Sequence, residues 1–348
     1  MMAYYGRPKA TAAAAWSMMR PGARSALPRS LSWRPLGPAD NAELAALVAR
    51  AEDVDDPPYR TTDQETAEYF LDPTYSGVAG RDGDGVMRAF GLVRVRPAAE
   101  IFASVLGVVD PLWRGRGIGG AILHWQSERA RHLIGAERAG RQGDGSLIPA
   151  HIITTVLEDD ERMQTHLTNL GYSPQRWYRE VRRSLSEPIP QAPVDRFLSI
   201  EPWSKDLDEA ILRVHNRAAD DAGAEPMSPE RWAAGRAFFA PEWSFVALDR
   251  SSDRARIAGY LLSSRYEQDW EALGWKEGYT DMLGALAEYS ERGLGAALLA
   301  AAMRAYAADG MEYAAAGVDS ASPTGAGSLY ERLGYQPTRG TILYGLDV

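Results

Sequence analysis

The chain contains no cysteine. Disulfides, thiolate metal sites and a cysteine nucleophile are therefore excluded. Histidine is scarce, five in 348 residues, and none forms the His-Glu-x-x-His pattern of a zinc hydrolase. Long apolar runs are missing as well; none approaches the roughly 20 residues that span a bilayer. Nor is there surplus positive charge: 38 Lys and Arg stand against 47 Asp and Glu, a net −9. A non-specific nucleic-acid binder needs basic surface to release phosphate counterions, so that class is disfavoured. What remains is a globular composition, 45% apolar and 24% charged. The length suits two domains of about 150 residues. No metal, nucleic-acid or membrane partner is expected, and the protein is expected to be a monomer or homodimer.

The acidic surplus is uneven. Up to Pro193 there are 23 acidic and 23 basic residues; from Val194 onward 24 acidic face 15 basic. Such a field attracts cationic small molecules, although ordinary solubility also explains it. Residues 1–30 lack any acidic side chain and carry many Ala, Ser and Pro. Their apolar run is interrupted and no clear cleavage site follows, so they read as a flexible extension of a cytoplasmic protein.

The remainder contains one unit twice. Trp113–Leu123 (WRGRGIGGAIL) and Tyr289–Leu299 (YSERGLGAALL) align with an offset of 176. Each follows an apolar strand-like run, Ile101–Val109 or Tyr279–Ala287, and each opens a helix-like run. Further on, HLTNLGY (166–172) matches LYERLGY (329–335) with an offset of 163, leaving an insertion in AERAGRQGDGSLIPA (136–150). Before the first glycine loop the pattern predicts a strand at Ser32–Leu36, helices at Ala39–Ala51 and Thr62–Leu71, and strands at Ser76–Gly80 and Val86–Val95. Before the second it predicts a strand at Phe197–Trp203, helices at Leu207–Asn216 and Pro229–Phe239, and strands at Ser244–Leu248 and Ile257–Ser264. The expected organisation is a flexible 1–30, a domain over 31–185, a Pro-rich connector at 186–193 (SEPIPQAP) and a domain over 194–348. The fold class is mixed α/β, each domain a mixed, mostly antiparallel sheet with helices on both faces.

A glycine turn between a strand and a helix presents free backbone N–H groups at the positive end of the helix dipole, an anion site. Gly115-x-Gly117-x-x-Gly120 also satisfies a dinucleotide fingerprint. The ribose-binding acid at the end of a second strand is missing, and the second loop lacks the match, so an oxidoreductase reading is weak. The pattern Arg/Gln-x-x-Gly-x-Gly/Ala in this setting resembles the acetyl-CoA loop of the GNAT superfamily of N-acetyltransferases. Arg114-Gly115-Arg116-Gly117-Ile118-Gly119 fits fully; Ser290-Glu291-Arg292-Gly293-Leu294-Gly295 fits except at Ser290. The stretch 318–335, VDSASPTGAGSLYERLGY, is similar to the family's closing strand and helix. The resemblance covers residues 31–348 as a tandem pair, as in mycothiol-synthase-like proteins.

The resemblance implies two GNAT-like domains and acetyl-CoA as co-substrate. The diphosphate contacts would fall on Arg292, Gly293, Leu294, Gly295, Ala296 and Ala297, with Leu286 and Ala287 near the thioester. The first copy's equivalents are Arg114, Gly115, Arg116, Gly117, Ile118, Gly119 and Gly120. The family's thiolate proton donor falls on Tyr330, and its strand carboxylate, nine residues before the Arg/Gln position, falls on Asp281. The first copy has Leu167 and Val105 at these two places, neither of which carries a proton. The second copy is therefore expected to be catalytic and the first degenerate. Glu277, Glu288 and Tyr279 are alternatives to Asp281. The second copy also carries a longer loop, Tyr266–Glu277 (YEQDWEALGWKE), with Glu267, Asp269, Glu271, Trp270 and Trp275. Carboxylates with Trp faces suit a cationic amine, so Asp269, Trp270, Glu277 and Tyr279 are the expected acceptor contacts. Asp220, Asp221 and Glu225 add further acid. A non-catalytic acyl-CoA or small-ligand sensor on the same scaffold is the competing reading.

Overall fold

The computed structural model describes residues 27–70, 75–97, 99–140, 148–221, 226–233, 236–289, 292–319 and 326–348. Most of the expected 1–30 extension, part of the 136–150 insertion, Glu225, Ser290 and Glu291 lie outside them. The chain divides into two compact units. Among the described residues the C-terminal unit holds Leu157–Asp159 and Arg176–Ile342; the N-terminal unit holds 27–156 with Asp160–Gln175 and Leu343–Val348. The division thus falls before the 186–193 connector, within a strand.

In the N-terminal unit the strands are β1 (Ser32–Pro35), β2 (Tyr75–Arg81), β3 (Met87–Pro97), β4 (Ile101–Val109) and β5 (Ala150–Leu157). They pair in sequence order, antiparallel except for the parallel β4–β5 pair. Helix α1 (Asn41–Asp55) and α2 (Asp63–Glu68) precede β2; α3 (Ile118–Gly140) and α4 (Glu161–Asn169) flank β5. The second helix starts where the sequence supplies a capping box: Thr62 accepts from the Glu65 amide at 3.1 Å, and Glu65 accepts from the Thr62 amide at 2.9 Å. Strand alternation assigns the two faces. Phe90 and Leu92 join Leu44, Leu47 and Val48 of α1 in one core, while Gly91 abuts Ile122 of α3.

The C-terminal unit repeats the plan. Its strands are β6 (Ser173–Ser184), β7 (Leu198–Pro202), β8 (Phe245–Asp249), β9 (Arg256–Ser264), β10 (Glu277–Ala285) and β11 (Tyr313–Asp319). The order is β6-β11-β10-β9-β8-β7, antiparallel except for β10–β11. Its helices are α5 (Asp208–Asp221), α6 (Pro229–Ala233), α7 (Glu267–Leu273), α8 (Leu294–Ala308) and α9 (Ala326–Arg332), and β12 (Gln336–Asp347) closes the chain. Ala247, Leu261 and Leu283 point to α8, packing with Leu294, Leu298 and Met303. Val246, Leu262 and Met282, their chain neighbours, point to α5 and α6, packing with Ile211, Leu212 and Trp232. Alternation along three strands thus builds one core on each sheet face. Close approach of α8 requires Gly278, whose missing Cβ leaves room for the Tyr306 ring.

One expected element is shorter. Pro229–Phe239 was the predicted helix, but α6 ends at Ala233. Phe239 bridges Ser264, and the Ala240 amide donates to Ser263 O at 2.9 Å, so the chain is drawn onto the sheet edge instead.

Candidate active site

The offset of 176 holds in three dimensions: β4 and β10 run over equivalent residues, and α3 and α8 open at Ile118 and Leu294. Gly117 and Gly293 both lie in the left-handed region, with φ of 76° and 72°. That conformation turns the chain from strand into helix and favours glycine. In α8 the first helical amide bond is Ala297 N–H to Gly293 O, at 3.1 Å. The amides of Leu294, Gly295 and Ala296 precede it and have no helical acceptor. Together with the helix dipole they fit a diphosphate. Ala287 lies in the turn leading to the loop, and the Tyr289 amide closes that turn on Leu286 O at 2.9 Å. The Tyr289 hydroxyl donates to Asp249 at 2.7 Å, which helps hold the Asp249 carboxyl down at about 2. The Arg292 guanidinium lies over the Tyr289 ring at 5.2 Å and pairs with Asp195 at 3.2 Å.

The first loop has the same turn with other partners. Ala121 N–H reaches Gly117 O at 3.1 Å, and a Cβ at Gly115 or Gly117 would meet nothing within 4 Å. Gly119 and Gly120 follow in the first turn of α3. Arg114 donates to both oxygens of Asp55, at 2.5 and 2.7 Å, and Arg116 lies over Trp113 at 4.6 Å.

Both units also part their parallel strands in the same place. The β10–β11 ladder runs from Glu277↔Tyr313 to Thr280↔Ala316 and stops, although β10 continues to Ala285. The β4–β5 ladder likewise stops at Ser104↔Ile153. The resemblance puts the Leu286 amide near the thioester. That amide is turned the other way: it donates to Ala258 O across to β9, at 3.0 Å. Because amides alternate along an antiparallel strand, and Ala285 pairs with Gly259, the Ala285 N–H faces the side that β11 has left.

Asp281 sits on β10 where the register against β9 shifts between Thr280 and Met282. It accepts from the Ser264 hydroxyl and, at 3.0 Å, from the Tyr266 hydroxyl. It lines a cavity with Ser264, Arg231, Trp232 and Arg236 among its walls. Tyr330 is 1% exposed on α9, with its ring edge-on to Tyr335 at 5.1 Å. Burial pushes its phenol well above the ordinary tyrosine value, so it stays protonated. Its counterpart position is confirmed by the turn that follows: Tyr335 N–H bonds Tyr330 O as Tyr172 N–H bonds Leu167 O. Leu167 and Val105 are buried apolar side chains.

The acceptor loop differs from expectation. It folds into α7, ended by Gly274 in the left-handed region, and Asp269 is buried. The Trp faces expected to meet a cationic ligand meet the protein's own cations: Arg182 stacks on Trp275 at 3.8 Å and Lys276 lies 5.6 Å from the Trp270 ring centroid. Trp275 donates to Glu277 at 2.8 Å, and burial raises the Glu277 carboxyl. Glu288 is paired with Arg217 at 3.0 Å. Tyr279 donates to Glu180 of β6 at 3.0 Å and meets the Tyr266 ring edge-on at 5.6 Å. Glu180 escaped sequence reasoning because it belongs to the first repeat in sequence and to the C-terminal unit in space. Arg231 and Arg236 escaped because attention fell on acids. Of Asp220 and Asp221, only the backbone within α5 is described.

Among the described residues no group of three or more metal-binding side chains gathers, and no helix is long and apolar enough to cross a membrane. Residues 209–335 match the Acetyltransferase (GNAT) family. A mycothiol acetyltransferase of Salinispora arenicola (strain CNS-205) is 29% identical over 312 residues, covering 86% of this chain and 91% of that protein. Among solved structures, a GCN5-related N-acetyltransferase from Sphaerobacter thermophilus matches with a TM-score of 0.67 at 22% identity, covering 92% of this chain and 96% of that one. A tandem GNAT protein from the clavulanic acid biosynthesis pathway matches at 0.62 and 16% identity, covering 91% and 98%. The family match spans the α8 loop, Asp281 and Tyr330 together, so the region that holds the candidate site is similar to GNAT acetyltransferases.

Proposed function

We propose that the C-terminal unit transfers an acetyl group from acetyl-CoA to the primary amine of a small molecule, by direct attack with both substrates bound, and that the N-terminal unit does no chemistry. The observation that carries this is the contrast at two equivalent positions. Asp281 and Tyr330 can hold and move protons; Val105 and Leu167 cannot.

Acetyl-CoA supplies an activated acyl group as its thioester. The amides of Leu294, Gly295 and Ala296 hold its diphosphate, with Arg292 adding charge. Asp281, which accepts from the Ser264 and Tyr266 hydroxyls, takes a proton from the acceptor ammonium and leaves a nucleophilic amine. The Ala285 N–H meets the carbonyl oxygen as negative charge develops there. Tyr330 protonates the departing sulfur, and the proton that the attacking nitrogen sheds on becoming an amide restores its phenol. The small-molecule acceptor is supported by the relative named a mycothiol acetyltransferase.

Calorimetric titration with acetyl-CoA, and with NADH as the control, tests the donor site. Radiolabelled acetyl transfer to a panel of primary amines tests the reaction. Acetyl-CoA binding with no NADH binding, and amine acetylation lowered about a hundredfold or more in Asp281→Asn, are expected. Absence of acetyl-CoA binding overturns the reading.

A further inference from the structure

The cavity beside Asp281 is not walled by acid. Besides Asp281 its charged walls are Arg231 and Arg236, and Ser264 adds a hydroxyl. Arg236 is held in place: its Nη2 donates to Asp208 at 2.8 Å, and its guanidinium lies 4.8 Å from the Trp232 ring centroid and 4.9 Å from that of Phe239. The scaffold under it is itself fixed. Asp208 also accepts from the indoles of Trp232 at 3.1 Å and Trp203 at 3.3 Å, and Trp203 meets Phe239 edge-on. Only 21% of the Arg236 side chain is exposed, and its remaining N–H donors meet no acceptor among the described residues. Those donors are open to solvent and so available to a ligand. Asp208 balances the charge of Arg236. That leaves Arg231, which pairs with no carboxylate among the described residues, as a net positive charge lining the same cavity as the Asp281 carboxyl.

We propose that Arg236 and Arg231 form an anion-reading wall in the Asp281 cavity, so that the acceptor is a small zwitterion carrying an anionic group besides its amine. The inference rests on the acetyltransferase reading and narrows its substrate class. The ammonium faces Asp281, which deprotonates it, and a carboxylate or phosphate receives the planar donor fork of Arg236 with the charge of Arg231 beside it. A dication of the kind suggested by the acidic composition would place its second charge against two guanidiniums.

The test uses the whole enzyme and matched amine pairs: glycine with glycinamide, β-alanine with β-alaninamide, and phosphoethanolamine with ethanolamine. The first two pairs offer a carboxylate at two spans and the third a phosphate. Because an amide lowers the basicity of a neighbouring amine, the readout is the change in the ratio of kcat/KM within a pair on substitution. In Arg231→Gln and Arg236→Gln the preference for the anionic member should fall about tenfold or more, with acetyl-CoA affinity from calorimetry unchanged. Arg236→Lys keeps the charge but not the fork, so it should lose most of the preference while remaining folded. Equal ratios in wild type and variants, or acetylation of neither member of any pair by protein that binds acetyl-CoA, overturns the zwitterion assignment and leaves donor binding standing. Absence of acetyl-CoA binding overturns both.

Discussion

The two glycine loops share a backbone and differ in how their cations are used. In the N-terminal loop Arg114 is clamped bidentately by Asp55, and Arg116 lies over Trp113. In the C-terminal loop Arg292 lies over Tyr289 in the same way but is paired with Asp195, just past the Pro-rich connector. The connector also brings Pro193 O to 3.5 Å from where a Gly293 Cβ would stand. Equivalent turns thus persist while the groups that decide chemistry drift. Backbone geometry is kept by the fold, while the proton-carrying side chains Asp281 and Tyr330 stand in one copy only, where the other has Val105 and Leu167.

The comparison can be broken first at the glycines. Gly293→Ala puts a Cβ on a left-handed residue at a cost of about 1–2 kcal/mol. It should lower Tm and weaken acetyl-CoA binding about tenfold by calorimetry. Gly117→Ala carries the same strain and should lower Tm alone, with turnover untouched; a loss of turnover there would give the N-terminal loop a role in catalysis. A smaller effect is expected at Asp195. Its charge competes for Arg292, so Asp195→Asn should tighten acetyl-CoA binding about threefold at low salt, less at high salt and not at all in an Arg292→Gln background. The smallest effect concerns acid stability. His215 Nδ1 lies in hydrogen-bond contact with the Tyr260 hydroxyl at 2.6 Å, and burial, helped by nearby Arg231, depresses its pKa below 6.5. The folded state therefore resists protonation. Stability is complete above about pH 6.5 and is lost as pH falls toward the folded value, as the unfolded chain takes the proton first. Thermal melts from pH 7.5 to 5 should show that loss in wild type and less of it in His215→Phe.

Much of this was legible in the sequence because glycine positions are local signals. The offset of 176 tied β10 and α8 to their counterparts, β4 and α3. The acceptor side was less legible because it depends on contacts distant in sequence. Glu180 reaches Tyr279 only because β6 pairs with β11, 99 residues separating the two side chains. Trp270 and Trp275 read as open cation seats, since nothing local shows that Lys276 and Arg182 fill them. The Leu286 amide faces Ala258 of β9 and the Ala285 amide the other way, an alternation that sequence alone does not orient.

The most direct test is the single-turnover rate of acetyl transfer in Tyr330→Phe beside Leu167→Tyr, with acetyl-CoA affinity measured on the same samples. The account predicts a loss of about a hundredfold in the first, no change in the second and unchanged affinity in both. An undiminished rate in Tyr330→Phe would contradict it.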